Sequence, residues 1–368
     1  MRRLLRRFGS GRPTGLPDCG HRKQIIAFAT VTRWPNADLQ YNRLCNSPTG
    51  RENCLTPHEA ILEKTQSSRT EVAGLAQRVS PATVIRRDEP MAKHTTLRVG
   101  GLADVFVEPV SEQDLAAVLA GCQERGLRFL VLGRGSNLLV TDGGFRGVVV
   151  HLAHAHFSRI EVAGERLRCG AGAKLKAVAV EAKRNSLAQL EFLEGIPGSV
   201  GGALRMNAGA MGCTMFDVLE SVRLMGFDGT VQERTAQELA GAYRSCPALK
   251  THIALAAVLL GKLGSRETIE QRMKEYSRKR WNSQPAAPSA GCIFKNPPSI
   301  SAGRLIDELG LKGTRVGGAV VSAEHGNFIV NTGTATARDI LDLIEIIRRR
   351  AQAERGVDLE TEVEIVGE

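Results

Sequence analysis

The alternation of apolar and polar positions is clearest after residue 70. Ser111 stands three residues before Asp114, and Leu115, Val118, Leu119 and Cys122 then fall on one stripe that closes at Gly126. That is the pattern of a capped amphipathic helix. Phe129–Leu132 and Gly147–Leu152 read as buried strands, Arg166–Cys169 as a short strand and Lys174–Arg184 as a helix. Val218–Met225 and Thr230–Arg234 form a predicted hairpin around Phe227-Asp228-Gly229, and Ile253–Leu260 is a further buried strand. Ser265 caps a strongly charged helix that ends near Arg280. A Pro/Ala/Ser linker, 284–290, leads to a last helix with Ile340, Ile344, Ile347 and Ala351 on one face and a closing strand, Val363–Val366. Helices and strands interleave throughout, so the class is α+β or α/β. The predicted units are an extension over 1–70, a first domain over 71–264 and a second over 265–368.

The first 70 residues break this pattern. Arg2, Arg3, Arg6, Arg7 and Arg12 crowd the start, and Gly, Pro, Asn and Thr interrupt every apolar run. No helical or strand period is sustained, which predicts disorder or loose packing. The absence of an acidic residue before Asp18 also admits a targeting peptide, and a start codon placed too far upstream gives the same composition.

Charge changes the picture only through its location. Of the formal net charge of +10, residues 1–80 hold thirteen Lys and Arg against six Asp and Glu. The remainder is close to neutral for its size, and aromatics at 4% offer few stacking platforms, so no nucleic-acid partner is expected of it. No apolar stretch approaches the roughly 18–20 residues that span a bilayer. The eight cysteines are scattered without a C-x-x-C pair, which reads as free thiols in a reducing compartment and a cytoplasmic protein.

Two loops carry the candidate chemistry. The first, Gly133-Arg134-Gly135-Ser136-Asn137-Leu138, follows the 129–132 strand; the second, Gly195-Ile-Pro-Gly-Ser-Val-Gly-Gly-Ala203, includes Gly198, Ser199, Gly202 and Ala203. Glycine lets backbone N–H groups approach phosphate oxygens, and Ser and Asn add neutral donors, so the pair reads as two jaws on a phosphate-containing cofactor. Leu138 breaks the G-x-G-x-x-G fingerprint and no Gly-Lys-Ser/Thr follows either loop, which excludes the common dinucleotide and triphosphate cradles. His151-x-x-His154-x-His156 has metal-like spacing, but no acidic or cysteine ligand accompanies it, and no metal is expected.

Seven segments occur in an order that resembles one family. They are MAKHTTLRVGG (91–101), GRGSN (133–137), GIPGSVGGALRMNAGA (195–210), AYRSC (242–246), SAGCIFKNP (289–297), SAEHGNFIVN (322–331) and TEVEIVG (361–367). Together they resemble the UDP-N-acetylenolpyruvoylglucosamine reductases, over roughly residues 75–368. The resemblance implies an α+β chain with a two-part FAD-binding domain of the vanillyl-alcohol-oxidase (PCMH) type and a second, substrate-binding domain whose last strand returns to the site. It implies non-covalent FAD, NADPH as electron donor and UDP-N-acetylglucosamine enolpyruvate as substrate. The short interval from Arg244 to Cys292 resembles the subclass without the inserted tyrosine loop. An FAD-linked oxidoreductase of the same cofactor fold is the alternative, with a nucleotide-binding regulator carrying a basic arm as a remote one.

The same resemblance assigns roles. Arg244 matches the family's arginine, suited to gripping a carboxylate in two-pronged fashion. Glu362 matches its C-terminal glutamate, set to hydrogen-bond a developing enolate; alternation puts Glu364 on the same face, where both read as solvated without the resemblance. Cys292 stands where many members carry a serine proton donor. Arg244 and Lys295 push its thiol toward thiolate, Glu362 and the substrate push back, and a fall in rate at alkaline pH is expected. Tyr243, Lys295 and Asn296 are expected to face the substrate, and Arg278 and Arg280 to assist.

Overall fold

The computed structural model describes residues 74–368. The extension expected over 1–70 lies outside the described residues. The helix predicted from Ser111 spans Glu112–Glu124, with the Ser111 hydroxyl accepting from the Asp114 N–H and Gly126 in the left-handed region behind it. It joins Leu102–Glu108 to Phe129–Leu132, and both strands run parallel to Phe145–His151, as a crossover of this kind requires. Val84–Pro90 adds an antiparallel edge, giving the order 84–90, 102–108, 145–151, 129–132. Strand period two sends Val105 and Val107 to one core and Phe106 to another, so this sheet is buried on both faces.

A second, wholly antiparallel sheet has the order 231–235, 219–226, 252–260, 166–170, 160–163 and contains the predicted hairpin. Leu167, Val222, Leu224 and Leu255 from it share a core with Val105 and Val148 of the first sheet and with Val178 and Ala179 of the helix Leu175–Arg184. The charged helix spans Arg266–Ser283, three residues beyond its expected end. Its Ile269 and Met273 join that same core, and Arg272 reaches buried Glu191. The boundary expected between residues 264 and 265 therefore moves behind this helix: a pattern of charges hid two apolar anchors that bind it to the first unit.

The C-terminal unit begins inside the expected linker, at Ser289–Cys292. This strand pairs antiparallel with Phe328–Asn331, beside which runs Ala319–Val321. The helix Ala337–Arg355 buries Ile340, Ile344, Ile347 and Ala351 against this sheet, as its period predicts. Its first turn is anchored from the other unit, because the Asp142 carboxylate accepts from the N–H groups of Ala337 and Arg338, each at 2.9 Å. The last strand, Glu364–Val366, pairs in parallel with Leu138–Val140, directly behind the first glycine loop. The chain's end is thereby carried back to the cofactor loops.

Candidate active site

A cavity of about 1260 Å³ opens where these units meet, and both glycine loops line it. That exceeds the roughly 300–1,000 Å³ of an ordinary small-molecule site and leaves room for a dinucleotide and a second ligand. Gly133, Arg134, Gly135, Ser136, Asn137 and Leu138 face it from one side, and Gly198, Ser199, Gly202 and Ala203 from the other. The jaws touch, since a Cβ on Gly133 would stand 2.5 Å from the Ser199 hydroxyl oxygen. The glycines differ in kind. Gly135 has φ +59° and a Cβ there would lie 2.2 Å from the His94 carbonyl oxygen, so the loop cannot close without it. A Cβ on Gly202 would meet only Ser199 Oγ at 3.5 Å and would project into open space. Buried Ser199 gives its hydroxyl to no cap bond with the helix Val200–Arg205 behind it. A backbone-lined cleft with neutral donors fits the diphosphate of FAD.

Arg244, Cys292 and Glu362 all line this cavity. Arg244 is held in the left-handed region at φ +53°, a strained conformation for a side-chain-bearing residue, stabilised by the reciprocal backbone bonds between Ala242 and Ser245. Its Nε lies 2.7 Å from Glu362 Oε1, yet that N–H meets no aligned acceptor. The pair is held by charge and leaves the guanidinium's donors for a further ligand. Burial pushes the Glu362 carboxyl above its ordinary range, against the opposing pull of Arg244 and Lys295. Burial likewise pushes the Cys292 thiol up to about 12; the Glu362 charge adds to this, while Arg244 and a contact with Asn327 oppose it. Of the opposing pushes expected at Cys292, burial and the Glu362 charge therefore outweigh Arg244, and the balance falls on the side of the thiol.

Other expected residues are placed elsewhere. Lys295 and Asn296 are not on the cavity wall. Lys295 Nζ pairs with Glu360 Oε1 at 2.5 Å, and Asn296 Oδ1 accepts from the Ala302 N–H at 3.0 Å, starting the helix Ala302–Glu308. Tyr243 is 60% exposed, outside the cavity, with the Arg244 guanidinium over its ring at 5.2 Å. Arg278 is off the wall, whereas Arg280 lines it together with exposed Trp281. The three histidines diverge, with His151 on Glu108 and His154 accepting from the His156 N–H. Among the described residues no cluster of three or more His, Cys, Asp or Glu side chains is arranged to hold a metal ion.

Sequence reasoning missed Asn327 and, for Asn137, the bonds that tie it to the closing segment. Asn137, expected on the cofactor, donates through Nδ2 to the Glu362 carbonyl at 2.9 Å, and its own carbonyl accepts from the Glu364 N–H at 3.0 Å. Asn327, buried, exchanges bonds with the N–H and carbonyl of Phe294 at 2.9 and 2.8 Å, fixing the strand that carries Cys292. Both lay inside recognised motifs, so the signal was present, but their partners are 225 and 33 residues away.

Comparison with known proteins first defines the class. Residues 103–235 match the FAD binding domain model, which makes the chain an FAD-dependent oxidoreductase. Residues 284–366 match the model described as UDP-N-acetylenolpyruvoylglucosamine reductase, C-terminal domain. The reductase of Pelobacter propionicus is 46% identical over 283 residues, 76% of this chain and 95% of the relative. That of Bacillus subtilis is 41% identical, covering 76% and 93% respectively. The crystal structure of the enzyme from Thermus caldophilus superposes with a TM-score of 0.68 at 40% identity, covering 77% of this chain and 100% of that one. The chain belongs to the UDP-N-acetylenolpyruvoylglucosamine reductase family.

Proposed function

We propose a division of labour among these residues for the family's reaction, the NADPH-driven reduction of UDP-N-acetylenolpyruvoylglucosamine to UDP-N-acetylmuramate in peptidoglycan precursor synthesis. The observation that carries it is one cavity in which two glycine loops face an Arg244–Glu362 pair and Cys292. Residues 133–138 and 195–203 would hold FAD non-covalently, and FAD bound there would supply the two-electron chemistry for hydride delivery from NADPH to the terminal vinyl carbon of the substrate. That delivery places negative charge on the carbon next to the substrate carboxylate. Arg244 grips the carboxylate and stabilises the enolate-like charge as it grows. Glu362, whose carboxyl burial raises above its ordinary range, hydrogen-bonds the same oxygens when it carries its proton. Cys292 gives its proton to the carbon. The scattered cysteines, without a C-x-x-C pair, support a cytoplasmic setting.

NADPH oxidation measured with and without the enolpyruvyl substrate, followed by stopped-flow separation of flavin reduction from reoxidation, tests this reading. Rapid reoxidation by the substrate and its loss in Arg244→Met are expected. Reoxidation unaffected by that substitution removes Arg244 from the mechanism.

A further inference from the structure

We propose that Arg205 is a positioning residue that sets the spacing of the Arg244–Glu362 pair, an inference that rests on the roles assigned above. Its guanidinium forks between the two segments that bear those side chains. Nε and Nη2 donate to Glu364 Oε1 at 3.2 and 2.9 Å, and Nη1 donates to the Leu249 carbonyl at 2.7 Å. Glu364 lies two residues beyond Glu362 and opens the closing strand, and it is paired rather than solvated as its alternation alone implies. Leu249 is buried in the turn Pro247–Lys250, five residues after Arg244. Between them the chain has little slack, because Ala242 and Ser245 bond reciprocally and the Leu249 N–H donates to the Cys246 carbonyl.

The closing strand is equally fixed from the other direction. The Glu362 N–H donates to the Ile293 carbonyl at 2.7 Å, and its carbonyl accepts from Asn137. Arg205 therefore spans two stiff segments that come from distant parts of the sequence. Its planar fork holds them at a defined separation, which a lysine, with a single point of charge, does not reproduce. Arg205 also ends the helix Val200–Arg205 that begins at the second glycine loop, and it lines the cavity with Glu364. The cofactor jaw and the catalytic pair thus share one anchor. The separation matters electrostatically, because Arg244 is the main opponent of the burial that raises the Glu362 carboxyl. If the pair drifts apart, Glu362 holds its proton more tightly.

Arg205→Lys and Glu364→Gln in the flavin-loaded enzyme test the role, with Glu362→Gln as the reference. Arg205→Lys is expected to slow reoxidation by UDP-N-acetylenolpyruvoylglucosamine roughly 10- to 100-fold, the scale of a misplaced catalytic group. Its reoxidation pH profile should move to higher pH, while NADPH reduces the flavin within about threefold of the wild-type rate, a step that needs neither carboxylate. Glu364→Gln, nearly isosteric, should act in the same direction by a smaller factor, and the double variant should fall short of the product of the two. Equal slowing of both half-reactions with loss of flavin overturns the proposal in favour of simple structural support. An unmoved pH profile with an unchanged reoxidation rate in both variants also overturns it. If Glu362→Gln itself leaves reoxidation intact, the assignment of Glu362 fails first and the positioning role falls with it.

Discussion

Removing the Cys292 thiol separates proton donation from structural support. The sulfur sits on the cavity wall, with burial raising its pKa from an ordinary 9.0 to about 12. A shift of that size corresponds to about 4 kcal/mol in favour of the thiol and leaves only about one molecule in a thousand as thiolate at pH 9. The acid is therefore intact across the whole working range, and the alkaline fall in rate that an unperturbed thiol predicts is not expected. Cys292→Ala should still be reduced by NADPH at the wild-type rate, since that step draws no proton from the sulfur. Its reoxidation by the enolpyruvyl substrate should drop roughly 10²–10⁴-fold, the scale of a lost general acid. Cys292→Ser should recover much of this rate and, like the wild type, show no thiol limb between pH 7 and 10. Stopped-flow traces of the two half-reactions across that range decide it. A wild-type limb near pH ~9 that disappears in Cys292→Ser refutes the buried-thiol account. An unaffected second half-reaction in Cys292→Ala removes the residue from the chemistry altogether. The position, rather than the high proton affinity, marks the acid: burial lifts the core thiol Cys169 to about 12 as well, far from any reacting group.

Three further outcomes follow from the same geometry. Gly202→Val should give folded protein that binds little flavin, because its side chain enters the cleft, whereas Gly135→Ala should unfold at lower temperature because it meets the His94 carbonyl; melting curves and bound-flavin absorbance distinguish the two, and full flavin content in Gly202→Val contradicts the cradle. Glu362 has a raised folded pKa, so the native state holds its proton where the unfolded chain has lost it, and stability falls as pH rises from about 4.5 through the folded value; denaturation of Glu362→Gln should lack this component, and an identical pH dependence in both proteins refutes it. Deleting residues 1–70 should leave turnover and flavin content unchanged, because a relative matched over 95% of its length aligns with only 76% of this chain; a soluble, flavin-loaded truncation with little activity contradicts this.

The periodicities that localise in sequence were legible. The capped helix at 112–124, the hairpin around Gly229 and the apolar face of the last helix all stand where the pattern put them, because each depends on neighbours within a few residues. The helix 266–283 misled for the opposite reason. Its charged surface outnumbers two anchors, Ile269 and Met273, and only the fold reveals which core they enter. Lys295 and Asn296 differ again, since a motif fixes a residue's place in the chain but not its partner, which here is Glu360 for Lys295 and the Ala302 N–H for Asn296.

At the site, the resemblance pointed to Arg244, Cys292 and Glu362, which the structure brings to one cavity, while the residues that hold them carried no such signal. Residue type alone did not single them out, since Glu362 and Glu364 read alike without the resemblance. The groups that hold them are ordinary polar side chains whose meaning is a distance: Asn137 to Glu362 spans 225 residues, and Arg205 to Glu364 spans 159. Asn137 ties the first glycine loop, and Arg205 the helix behind the second, to the chain's closing segment, so Glu362 is held by the same elements that line the cavity. A substitution at Asn137 should consequently disturb flavin binding and Glu362 together, whereas one at Gly202, which makes no bond to the strand, should touch the flavin alone.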